Sequence, residues 1–94
     1  HHSVELLLKT EHFEIARYQF EAETSLYQRN RMGVVALTKG SAELSDSNGE
    51  HHQNLVIGDV VMLPANRNGW QVTPTTEQSC ELISIIPGNR QSSG

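Results

Sequence analysis

One cysteine, Cys80, stands in a chain of 94 residues, so no disulfide can close within it. A lone thiol suits a reducing compartment, and a cytoplasmic location is expected. Positive charge is also scarce. Seven Lys and Arg face eleven Asp and Glu, a formal charge of −4 with histidine neutral. Binding to nucleic acid draws on a basic face that releases counterions from phosphate, so no nucleic-acid partner is expected. No apolar run nears the roughly 20 residues that span a bilayer. Neither a basic amphipathic helix nor a signal-peptide pattern is visible, so no membrane partner is expected. Helical periodicity is missing as well: no window of a dozen residues repeats its apolar positions every 3.6 residues. Without repeats or linkers, the chain reads as one domain. At this size folding hides roughly 60–65% of the unfolded surface, a small margin that dimerisation would enlarge.

What is present is strand after strand. Val4 to Lys9 is a short apolar run, and Phe13 to Phe20 mixes aromatic and branched residues with charges. Gly33 to Leu37 and Ser41 to Leu44 flank a turn at Lys39-Gly40. Asp46-Ser47-Asn48-Gly49 is a hairpin signal, because Asn-Gly accepts the positive φ angles of a type I′ turn. Gln53 to Ile57 and Val60 to Leu63 are divided by Gly58-Asp59, Gly69 to Val72 follows a polar loop, and Cys80 to Ile86 ends at Pro87-Gly88. Glu21 to Arg31 is charged on all sides and reads as a loop. Short strands about ten residues apart predict an antiparallel sandwich or barrel. His1-His2-Ser3 reads as a tag remnant, residues 4–87 as the barrel, and residues 88–94 as a tail with nothing to bury.

The spacing of the turn residues resembles the cupin superfamily. Gly58 and Pro64 match the glycine, five residues, proline of the second cupin motif, and Gly40 matches the closing glycine of the first. The resemblance implies a single-domain, double-stranded β-helix, the jelly-roll barrel of the RmlC-like proteins. It also places the four metal-ligand positions at Tyr27, Arg29, Gly33 and Gly69, where the family carries histidines and a glutamate. Tyrosine, arginine and two glycines supply almost no suitable lone pairs, and the fixed charge of Arg29 repels a cation. No metal and no other cofactor are expected.

Candidate site residues follow from that frame. Tyr27 and Arg29 lie two apart, so on a strand they share a face, which the resemblance turns toward the barrel interior. A guanidinium there needs a partner: an acid such as Glu21 or Glu23, or a carboxylate ligand held by its fork. By the same register Gln71 faces inward and Trp70 packs outward, with a bulge able to exchange them. Met62, Val35, Leu37 and Ile83 are expected to line the barrel. His51-His52 and His12 read as surface histidines, and Cys80 as a small buried hydrophobe. No catalytic triad, phosphate loop or carboxylate pair stands out.

The function expected is a non-catalytic, metal-free module that binds a small and anionic ligand through Tyr27, Arg29 and Gln71. The resemblance adds a homodimer, paired sheet against sheet or through the apolar edge segment Val4 to Leu8. Two alternatives stand beside it. One is a small cupin enzyme, of isomerase or oxygenase type, with a non-standard site. The other is a structural or interaction module whose barrel is filled by its own side chains.

Overall fold

Branched and aromatic residues on alternate positions favour pleated strands, each burying one face. The computed structural model describes residues 2–26, 31–46, 49, 51–65 and 69–87. Among them run β1 (His2–Lys9), β2 (Phe13–Phe20), β3 (Thr24–Ser25), β4 (Gly33–Lys39), β5 (Ser41–Asp46), β6 (His52–Val56), β7 (Val60–Leu63), β8 (Trp70–Pro74) and β9 (Cys80–Pro87). The protein is all-β, as the sequence predicts. A five-stranded sheet in the order β1-β2-β9-β4-β7 faces a four-stranded sheet in the order β3-β8-β5-β6. Every strand pair is antiparallel. Among the described residues no helix is long and apolar enough to cross a membrane.

Turn chemistry sets the register. Gly40 and Gly58 hold φ angles of 79° and 96°, a region costly for residues with a Cβ, and turn the chain from one sheet to the other between β4 and β5 and between β6 and β7. Asp59 tightens the second: its carboxylate accepts from the Val56 N–H at 3.0 Å. The core lies between the sheets, where Tyr18, Phe20, Leu37, Leu55, Leu63, Val72 and Leu82 are almost wholly buried. The segment read as a loop from Glu21 to Arg31 contains the short strand β3, which pairs with β8 through Thr24–Val72 and Ser25–Gln71. Two residues carry no periodicity to read.

One-residue phases correct four orientations. Val35 and Leu37 are buried as expected, but Met62 is exposed and Ile83 half-buried on the outer face. Their neighbours Leu63 and Leu82 take the inner positions, because consecutive strand residues point to opposite faces. Trp70 and Val72 face inward, while Gln71 sits on the outer face between its pairing partners Ser25 and Ser45. Gln71 therefore does not line the barrel.

On the outer face of the larger sheet Glu81 is half-buried. The Thr38 hydroxyl donates to its carboxylate at 2.8 Å and Gln19 donates at 3.2 Å, with Lys39 at 4.0 Å. The Thr38 bond leads in holding its pKa below the usual value. Gln19, Lys39 and Arg17 add to that, and partial burial opposes it. A depressed carboxylate stabilises the fold above its unfolded pKa and ceases to do so as pH falls through the folded value. Glu81→Gln should therefore narrow the stability gap between pH 7 and acid, read as the melting temperature of both proteins along a pH series.

Candidate functional site

β4 and β8 begin, and β5, β7 and β9 end, at one end of the barrel, its mouth. Gly33 pairs with Leu63 there, and Asp46 pairs with Trp70. The Leu26 N–H donates to the Trp70 carbonyl at 2.9 Å, tying the end of β3 to the start of β8. Tyr27 and Arg29, the residues expected to receive a ligand, follow Leu26 in sequence and lie outside the described residues.

Little space is left between β2, β4 and β9 at this end. Tyr18, Leu26, Val35 and Ile86 leave between them a void of only about 10 Å³. Ser84 also borders it, with a buried hydroxyl that has no hydrogen-bond partner among the described residues. Space opens instead on either flank. On one side the inner faces of β1, β2 and β9 form a groove of about 330 Å³ lined by Val4, Leu6, Ala16 and Ser84. On the other, where the edge strands β6 and β7 meet, lies a cavity of about 490 Å³.

That larger cavity joins an apolar wall to a polar rim. Leu44, Leu63, Pro64 and Trp70 make the wall, and Asp46, His51, His52 and Gln53 the rim. The indole N–H of Trp70 donates to the Pro64 carbonyl at 3.1 Å, which fixes the ring at the cavity edge. The His51 ring lies 6.4 Å from the indole at a tilt of 40°. The Asp46 side chain, almost fully buried, accepts from the His51 N–H at 3.3 Å. Both histidines are exposed, as the sequence suggests. His52 Nε2 is 2.9 Å from the Gly49 carbonyl, and its Nδ1 is 3.5 Å from Glu43. Sequence reasoning missed this cavity because its lining comes from the margins of two sheets, and no single motif spans them.

Elsewhere the titratable candidates are structural. His12 stays on the surface beside Glu11 at 3.8 Å. The buried Cys80 thiol donates to the Ser41 carbonyl at 3.3 Å, and burial pushes its pKa up, away from a reactive thiolate.

No protein-family model matches the sequence, and no curated protein matches it. Solved structures do, over nearly the whole chain. An RmlC-like cupin with a double-stranded β-helix from Methanocaldococcus jannaschii superposes with a TM-score of 0.77 at 19% identity, over 94% of this chain and 81% of that one. The chain has the cupin fold. The cupin domain of an XRE-family transcriptional regulator from Enterobacter cloacae matches with a TM-score of 0.74 at 14% identity, covering 95% and 98% of the two chains. A candidate mannose-6-phosphate isomerase from Ralstonia eutropha matches at 0.69 and 16% identity, covering 94% and 85%. The cupin frame thus serves proteins of different roles, and the site has to decide.

Two of the four positions where the sequence places the metal ligands of the cupin fold do not suit an ion. Gly33 and Gly69 bring no side chain to two of the four ligand positions. Among the described residues no group of three or more His, Cys, Asp or Glu could hold an ion.

Proposed function

We propose that this cupin is a non-catalytic, metal-free module that binds a small organic molecule at the barrel mouth and works as a homodimer. The observation that carries the reading is the cavity of about 490 Å³, within the range that encloses small ligands. Its composition supports it too: an apolar wall ending in an indole, with a few converging polar groups, gives orientation together with affinity. Asp46, His51 and Gln53 can accept from and donate to hydroxyls and amides. The anionic ligand expected from the sequence depends on Arg29, since no Lys or Arg lines the cavity among the described residues. A carboxylate would otherwise meet the Asp46 carboxylate.

Trp70 is the only tryptophan, so its emission reports on this cavity alone. A panel of sugars, polyols, amides and carboxylates, titrated into metal-stripped protein, is expected to include a ligand that changes Trp70 emission saturably and raises the melting temperature. At a hundredfold excess over Kd, binding adds about 2.7 kcal/mol. If carboxylates bind and Arg29→Ala abolishes this, the anionic form of the reading holds. A panel with no shift in either signal overturns the binding role.

The close packing of Tyr18, Leu26, Val35 and Ile86 favours a second reading, a structural or interaction module, because the void of about 10 Å³ among them leaves no room for a ligand there. That module would show no saturable response in the same titration.

A further inference from the structure

The five-stranded sheet is one strand wider than the sheet it faces, and its β1–β2 margin overhangs. On the inner side of that margin Val4 and Leu6 stand 38% and 56% exposed, although they continue the rows that bury Tyr18 and Ser84. The groove of about 330 Å³ lies there, and two polar groups interrupt its apolar lining. Glu14 faces it from β2, in phase with Ala16 and Tyr18. Its side chain is only 22% exposed, yet its carboxylate accepts no hydrogen bond among the described residues. Lys9, its register partner on β1, comes no closer than 4.0 Å and is itself 64% exposed. So loose and wet an ion pair contributes little. Ser84 forms the floor on β9, two residues from the Ile86 that pairs with Glu14, and its buried hydroxyl has no partner. Diagonal neighbours of this kind stand about 7–8 Å apart, within the span of one small molecule.

Buried polar groups normally find partners, and one occupant would supply both of these. Charge selects it. A carboxylate in a mostly apolar recess favours a cation that carries N–H donors, because charge-assisted hydrogen bonds are the stronger kind. Among the described residues no Lys or Arg lines the groove, and the formal charge of −4 draws cations toward the chain. An anion would meet Glu14 head-on. The rest of the lining, Val4, Leu6, Ala16 and Ile86, presents hydrocarbon, which suits an apolar body and gives a sugar or polyol nothing to bond.

We propose that this groove binds a small organic ammonium ion with an apolar body, its N–H groups on the Glu14 carboxylate and its hydrocarbon part against Leu6 and Ile86. The site shares no lining residue with the cavity beside Trp70, so the two stand or fall separately.

Calorimetric titration of 2-phenylethylamine into the full chain tests it, with 2-phenylethanol and 3-phenylpropanoate as neutral and anionic counterparts of similar size. The amine is expected to bind saturably and at least tenfold more tightly than the alcohol, and the anion more weakly than either. Glu14→Gln, with circular dichroism unchanged, should bring the amine down to the affinity of the alcohol. In amide NMR spectra the amine should shift Leu6, Ala16 and Ser84 and leave Asp46 and Trp70 in place. No saturation at millimolar amine overturns the site. Equal affinity of wild type for amine and alcohol, an amine preference that survives Glu14→Gln, or shifts centred on Trp70 overturn it as well. So does amine binding that appears only after residues 88–94 are removed, or only on dilution of the protein, since the chain or a second copy is then the occupant. Trp70 emission reports on the other cavity whichever way these results fall.

Discussion

Trp70→Ala is expected to cost about 3–5 kcal/mol of stability, whereas Gln71→Ala should cost within about 0.5 kcal/mol. The contrast between neighbours follows from their phase on β8. Trp70 is 7% exposed, packs with Val72, Leu44 and Leu63 in the core cluster, and anchors its ring to the Pro64 carbonyl. Removing the indole forfeits its transfer free energy and leaves a hole that antiparallel strands on both sides cannot close. Gln71 stands on the outer face and contributes a side chain that water can replace. A domain of this size commonly holds only about 5–15 kcal/mol, so the Trp70 variant should lose much of its cooperative transition. Urea denaturation followed by far-ultraviolet circular dichroism, at one protein concentration throughout, measures both. Equal costs, or the reverse order, would return Gln71 to the interior. Trp70→Phe keeps one aromatic ring in the core while losing the donor to Pro64 and part of the indole's volume, so it should cost less than Trp70→Ala.

The fold was legible wherever turn chemistry and apolar runs coincide. Phe13–Phe20 and Val60–Leu63 are strands at the predicted bounds, and Gly40 and Gly58 occupy the positive φ that the turns between the two sheets demand. Phase was harder to read. Val60-Val61-Met62-Leu63 and Ile83 with its neighbours are apolar on both faces, so alternation gives no cue to which residues turn inward. Trp70 and Gln71 differ in polarity, and simple burial would have ordered them correctly. The expectation placed Gln71 inside because the family frame was carried across Gly69 without regard to the residue that needs burial most. The candidate site was the least legible. Its wall comes from β5, β7 and β8 and its rim from the hairpin after Asp46, residues brought together only when two sheet edges meet. Tyr27 and Arg29 were singled out on sequence grounds and lie outside the described residues.

Gly40→Ala should destabilise by about 2–5 kcal/mol, the sum of two separable effects. The first is conformational. At a φ of 79° a Cβ crowds its own carbonyl, which costs about 1–2 kcal/mol. Gly58 shares that burden at 96°, yet a Cβ added there meets nothing within 4 Å. The second effect belongs to Gly40 alone. Its added Cβ would stand 2.7 Å from Cys80 Sγ, 3.1 Å from the Ser79 carbonyl and 3.3 Å from the Cys80 Cα. Two of those atoms are backbone, and the sulfur is buried and bound to the Ser41 carbonyl, so none can yield cheaply. Overpacking of this kind adds about 1–3 kcal/mol. Gly58→Ala is thus the internal control, expected to show the conformational cost by itself. A double-mutant cycle apportions the rest: in a Cys80→Ala background the sulfur contact is gone, so Gly40→Ala should cost less there while the carbonyl contact and φ remain. Should Gly40→Ala prove no worse than Gly58→Ala in urea denaturation, the close approach of β9 to the β4–β5 turn is wrong. The register that seats Cys80 opposite Phe20 would then have to shift with it.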